Sequence, residues 1–153
     1  MDNENVKHVE IPTGNSKEDI KERNFLIRKF YQEWKSKNKD RCVYNLDLQE
    51  YIYVRNISNV ETAQKASKKY LSTLAVLQLD TILTMAKKVR VTKAKQNANQ
   101  STFNKMIIME YLLEGIGLVK ITVGEQKRSK LKVQYCITAI DTNTKVNTME
   151  TKK

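Results

Sequence analysis

Histidine occurs once, proline once, cysteine twice and glycine four times in these 153 residues. The single histidine, His8, lies in a polar leader, which leaves no ligand set for zinc and no partner for histidine-based acid–base catalysis within one chain. Cys42 and Cys136 are far apart and lack a CxxC partner, so both read as reduced thiols and neither a disulfide framework, a metal nor a redox cofactor is expected. Long apolar runs are missing as well. The first ten residues, MDNENVKHVE, are acidic and polar where a signal peptide would be basic and then apolar, so a cytosolic protein with no membrane partner is expected. Acidic residues are also short, 17 against 28 Lys plus Arg, giving a net charge of +11. That imbalance favours a polyanion, RNA or DNA, and leaves an acidic partner protein open.

What the chain does contain is strand-like sequence near its C-terminal end. Val119, Ile121 and Val123 alternate with Lys120 and Thr122, and Val133, Tyr135, Ile137 and Ala139 recur at period two. These two strands, with GEQKRSK as a cationic hairpin tip, predict a meander whose Val119, Ile121, Val123, Val133, Tyr135 and Ile137 face a helical layer. Residues 102–114 fit a helix or a strand. Strand is the better reading because the run leads into Glu114-Gly115, a hairpin dipeptide.

Upstream, residues 1–15 read as a disordered leader and residues 142–153 as a disordered tail, bounding one domain over 16–141. Ser16 and Asp19 resemble a capping box, and Ile20, Ile27, Phe30, Tyr31 and Trp34 form one stripe of a helix over 17–37. At that spacing the aromatics read as core rather than as a base-stacking platform. Asn45 predicts the cap of a short helix LDLQEYI followed by a strand YVRNI. From Ser58 to Lys88 the pattern predicts one long buried helix, or two if Ser72-Thr73 caps a fresh start.

Residues 87–105 hold six basic residues, Lys87, Lys88, Arg90, Lys93, Lys95 and Lys105, and no acidic one. Val89 and Val91 among them predict an edge strand. Lysines on such a strand either guard it against aggregation or track phosphates, and the sequence weighs the two equally. Together with Lys127, Arg128, Lys130 and Lys132 of the hairpin tip they are the candidate nucleic-acid contacts.

The pieces VET (Val60 to Thr62), ILTMAKKVRV, KMIIMEY, LVKITVG and VQYCITAI resemble domains attached to polyvalent proteins of phages and mobile elements, of the barnase, EndoU, colicin and RelE type. A looser similarity, around YLSTLAVLQLD and VQYCITAI, is to proteins of Bacteroidetes mobile elements. The resemblance implies an α+β fold with N-terminal helices packed on one face of a C-terminal four-stranded antiparallel sheet. It also implies an RNase-like or toxin-like ancestry. Glu61 stands where catalytic members carry histidine, so any activity would be a metal-independent RNase using Glu61, Arg90, Lys93, Lys120 and Tyr135, with cations on the phosphorane and Glu or Tyr moving protons. Each of these has a structural alternative: a helix cap for Glu61, solubility charges for Arg90 and Lys120, a rim hydroxyl for Tyr135. Two functions from different classes follow, a nucleic-acid-interacting protein of a mobile element and a non-catalytic protein-interaction module with a basic solubilising surface.

Overall fold

The computed structural model describes residues 10–96 and 100–140. Helix α1, Lys17–Lys37, starts where Ser16 Oγ accepts the Asp19 N–H at 3.1 Å, and it buries Ile27, Tyr31 and Trp34. The aromatic stripe is therefore core, as its spacing predicts.

The next stretch differs from expectation. Residues 42–53 form a hairpin of two four-residue strands, β1 (Cys42–Asn45) and β2 (Glu50–Tyr53), in place of the helix LDLQEYI. Asn45 does cap a turn, its Oδ1 accepting the Leu48 N–H at 2.7 Å, but its amide also donates to the carbonyls of Leu83 and Ala86. Those distant bonds fix the turn, and no local pattern announces them. The long helix divides into α2 (Asn56–Ala66), α3 (Tyr70–Val76) and α4 (Leu79–Met85). Ser58 lies at the third position of α2 rather than at its cap, and its Oγ accepts the Arg55 N–H.

Strands β3 (Lys87–Lys93), β4 (Phe103–Leu113), β5 (Gly117–Gln126) and β6 (Lys132–Ile140) complete a six-stranded mixed sheet in the order β1-β2-β6-β5-β4-β3. The expectation of four antiparallel strands is thus overturned. Ile52 and Tyr53 of β2 pair in parallel with Lys132 and Val133, which extends the sheet beyond β6. The sheet curls until the β1–β2 turn reaches the opposite edge, where the Lys88 N–H donates to Asp47 Oδ2 at 2.9 Å.

The main core lies between the helices and one face of the sheet, with Met109, Val119, Ile121, Val123 and Ile137 all fully buried. Val133 and Tyr135, expected on that face, lie on the other one with Phe103, Met106 and Cys136. A β-bulge is responsible. Thr122 pairs with Cys136 and Val123 with Gln134, so Tyr135 is an extra residue and the alternation of β6 changes phase there. Gln134 consequently turns inward. Tyr31 donates to Gln134 Oε1 at 2.7 Å, and Gln134 Nε2 donates to Thr62 Oγ1 at 2.7 Å, tying α1, β6 and α2 together.

Beyond its short pairing with β2, the free side of β6 is sealed by helices. Ser58 Oγ donates to the Gln134 carbonyl, and Ser72 Oγ accepts the Ala139 N–H at 2.8 Å. Exposed strand backbone is thereby satisfied without another strand. Arg23, fully buried, plays a comparable part at the other end of the helical layer: it donates to the carbonyls of Ser67, Pro12 and Gly14 at 2.8, 2.8 and 2.7 Å. Pro12 and Gly14 belong to the stretch expected as a leader, while residues 1–9 and the expected tail lie outside the described residues. No described helix is long and apolar enough to cross a membrane.

Candidate nucleic-acid interface

Strand β3 pairs with β4 alone, the edge position expected for it, and all seven of its residues are exposed, Val89 and Val91 included. Lys87, Lys88, Arg90 and Lys93 therefore carry their charge in solvent. Lys93 faces Lys105 across the β3–β4 ladder, and the Lys127 N–H donates to the Thr102 carbonyl at 3.2 Å. That bond brings the exposed hairpin tip of Lys127, Arg128 and Lys130 to the same end of the sheet as Lys93 and Lys95.

Two of the predicted contacts are already engaged. The Lys132 side chain is nearly buried, 2.8 Å from Glu50 and 3.3 Å from Glu125, and Lys105 stands 3.9 Å from Glu125. Burial alone would raise the Glu125 pKa, but the Asn104 hydrogen bond and the neighbouring Lys132 and Lys105 outweigh it and hold the carboxyl below its ordinary range. Burial alone would lower the Lys132 pKa, yet Glu50 and Glu125 raise it. Both groups are charged near neutrality, and they serve each other.

The third gathering lies beside α2. Glu61, Gln64, Lys65 and Lys68 follow one another at helical spacing, and they line a recess of about 380 Å³ with Lys95, Gln100 and Tyr135. Glu61 and Tyr135 are 2 % and 5 % exposed, whereas the three lysines stand in solvent at the rim. Tyr135 reaches this recess because the bulge re-aims it away from the main core. Its phenol pKa is raised, chiefly by burial. The Gln100 hydrogen bond partly offsets this, and the Glu61 carboxylate adds to it. The hydroxyl thus keeps its proton at neutral pH. Gln100 Oε1 also accepts the Lys95 N–H at 2.9 Å, which anchors the strand-to-loop turn at the recess. Among the described residues no carboxylate forms an ion pair with Lys65, Lys68 or Lys95.

Of the proposed catalytic set, then, Glu61 and Tyr135 come together. Arg90, Lys93 and Lys120 do not join them. Arg90 pairs in register with Ile108, and Lys120 pairs with Glu110, which also faces Lys87, giving that face a row of alternating sign. Lys65, Lys68, Gln64 and Gln100 were not anticipated, although the 0, 3, 4, 7 spacing from Glu61 to Lys68 is readable in the sequence. Beside Tyr135, burial pushes the Cys136 thiol up to about 11, with Lys65 opposing and Glu61 adding to the shift, so the thiol form is favoured at neutral pH. Among the described residues no group of acidic, histidine or cysteine side chains could hold a metal ion.

No family model, curated protein or solved structure matches this chain.

Proposed function

We propose that this protein is a cytosolic nucleic-acid-binding module, carried by a mobile element as the sequence resemblance implies, that engages single strands through the lysine-rimmed recess and the adjoining basic edge. The observation that supports it best is the set of lysines, Lys65, Lys68 and Lys95, that form no ion pair among the described residues and stand around a pocket whose floor is a buried carboxylate and phenol. Cations held at a rim without internal carboxylate partners are available to phosphates. Lys93, Lys127, Arg128 and Lys130 extend the positive surface from this rim along one end of the sheet. The reading is for binding rather than turnover. Arg90, Lys93 and Lys120, the cations expected on a phosphorane, do not converge on Glu61 and Tyr135, and retaining a basic surface demands less geometry than retaining an active site.

Titration of labelled single-stranded RNA, duplex RNA and DNA at two salt concentrations tests this. Affinity for single strands should fall steeply with salt, because each neutralised phosphate releases counterions. Absence of binding at low salt would reject the proposal and leave the interaction module. That second reading has its own support in the β1–β2 hairpin, where Tyr44 and Tyr51 are exposed and stack edge to face at 5.1 Å.

A further inference from the structure

The aromatic stripe of α1 lies in the core, so a surface on which bases could stack has to come from elsewhere. The β1–β2 hairpin supplies one. Val43 and Ile52 pair across it and pack on the main core, so their neighbours Tyr44 and Tyr51, also directly paired, point to the outer face. These two residues are 42 % and 53 % exposed. A solvent-facing strand position needs no aromatic ring, and a cross-strand pair of rings makes an exposed apolar patch of the kind that marks a contact surface. The rings meet edge to face at 74° with centroids 5.1 Å apart, an arrangement that covers one face of one ring and leaves other flat surfaces open.

Charge decides which partner suits these rings. Tyr53, next on the same face of β2, carries the Arg55 guanidinium 5.4 Å from its ring centroid, which holds an exposed cation at that end. At the Tyr51 end, the parallel pairing of Ile52 with Lys132 brings up the β5–β6 tip, where Arg128 and Lys130 are exposed. Glu50, the acidic residue of β2, is 2.8 Å from Lys132 and so already answered. Tyr53 also packs on the cluster of Val133 and Tyr135, and Tyr135 lines the lysine-rimmed recess, so the outer face continues from the recess to the hairpin. A ligand that follows this face needs flat apolar groups at the rings and negative charge on either side. A single strand of nucleic acid, with unpaired bases between phosphates, has both.

We propose that the outer face of the β1–β2 hairpin is a base-stacking platform, on which Tyr44 and Tyr51 receive bases of a single strand while Arg55 and Lys130 hold the flanking phosphates. This rests on the nucleic-acid reading above and adds where the bases go. The test measures fluorescence anisotropy on a labelled oligouridylate and on a strand of the same length and ribose–phosphate backbone that lacks its bases. Wild-type protein should bind the uridylate about tenfold more tightly, the gain usual for a base stacked on an aromatic side chain. Replacing Tyr44 and Tyr51 together by Thr removes the rings and retains strand propensity. That variant should bind both strands equally, with the salt slope of wild type, because its phosphate contacts are intact. Tyr44→Phe with Tyr51→Phe keeps the rings and should bind as wild type does. Equal wild-type affinity for the two strands would overturn the platform, leave electrostatic strand binding intact and return the rings to a partner protein. A preference for the uridylate that survives the Thr substitutions would overturn it as well. Failure of both strands to bind at low salt would instead remove the nucleic-acid reading, and the platform with it.

Discussion

Two lysine clusters sit on either side of the β6 bulge, and they differ in what answers their charge. At the start of the strand Lys132 is buried between Glu50 and Glu125 with Lys105 close by, a set that is electrically closed. Beside Tyr135, Lys65, Lys68 and Lys95 stand around the Glu61 carboxylate, the one acidic group among the described residues of the recess, which forms an ion pair with none of them. Counting basic residues cannot separate these cases. What separates them is the supply of acidic neighbours, which depends on strand register for Lys132 and on the last turn of α2 and the turn that follows it for Lys65 and Lys68.

The sharpest way to break the comparison is to open the closed cluster. Glu125→Ala should cost about 3 kcal/mol in urea denaturation, near the low end for a disrupted buried pair because Glu50 still faces Lys132. Its pH dependence has a defined sign. The lowered Glu125 pKa gives stability that is present above the ordinary carboxylate range and lost as pH falls through the folded value. The raised Lys132 pKa gives stability that is present below the ordinary lysine range and lost as pH rises through the folded value. The difference in melting temperature between wild type and Glu125→Ala should thus be widest near neutrality and shrink at both extremes. A constant difference from acid to alkali would mean that packing, not charge, holds this cluster.

Charge reversal at the open cluster should act on binding. Glu in place of Lys65, Lys68 and Lys95 together should reduce the slope of log affinity against log salt by about 2 for single strands, since three phosphate contacts are lost. Lys105→Glu should change that slope little, and an equal effect of both would show that the two clusters are not distinct. Tyr135→Phe tests the floor of the recess. Losing one buried hydroxyl should lower stability by about 1 kcal/mol, read from chemical denaturation, and a loss several times larger would mean that the phenol has a structural role beyond Glu61 and Gln100. Smallest of all, Lys65→Gln should leave unfolding free energy within about 0.5 kcal/mol of wild type, as an exposed unpaired lysine should.

The sequence carried some of this architecture plainly and some not at all. Local signals were reliable: the Ser16 cap, the Ile27, Tyr31 and Trp34 stripe and the exposed alternation of β3 each depend on neighbours a few residues away. Non-local ones were silent. Strands β1 and β2 offer four residues each, too few for a period to emerge, and the partner of β2 lies some 80 positions later in the chain. The bulge was hidden for another reason. Val133, Tyr135, Ile137 and Ala139 continue an unbroken alternation, so nothing in β6 itself marks the phase change that the pairing with β5 imposes. For the candidate site, Glu61 and Tyr135 were legible as chemistry while their meeting was not, because it depends on that same bulge. Lys65 and Lys68 were legible as spacing, but they lay inside a stretch read only for its apolar face.

The serine contacts along β6 also govern how this sheet comes apart. The Ala139 amide donates its proton to Ser72 on α3, so its protection against hydrogen exchange depends on helix docking rather than on the integrity of the ladder with β5. A fluctuation that lifts α3 would release this amide and bare the flank of β6 while the meander remains paired. The species so formed carries an unsatisfied strand edge, a template for joining a second molecule. Ser72→Ala should therefore accelerate exchange at Ala139 before it alters exchange inside the meander, and it should raise the tendency to aggregate at temperatures well below global unfolding.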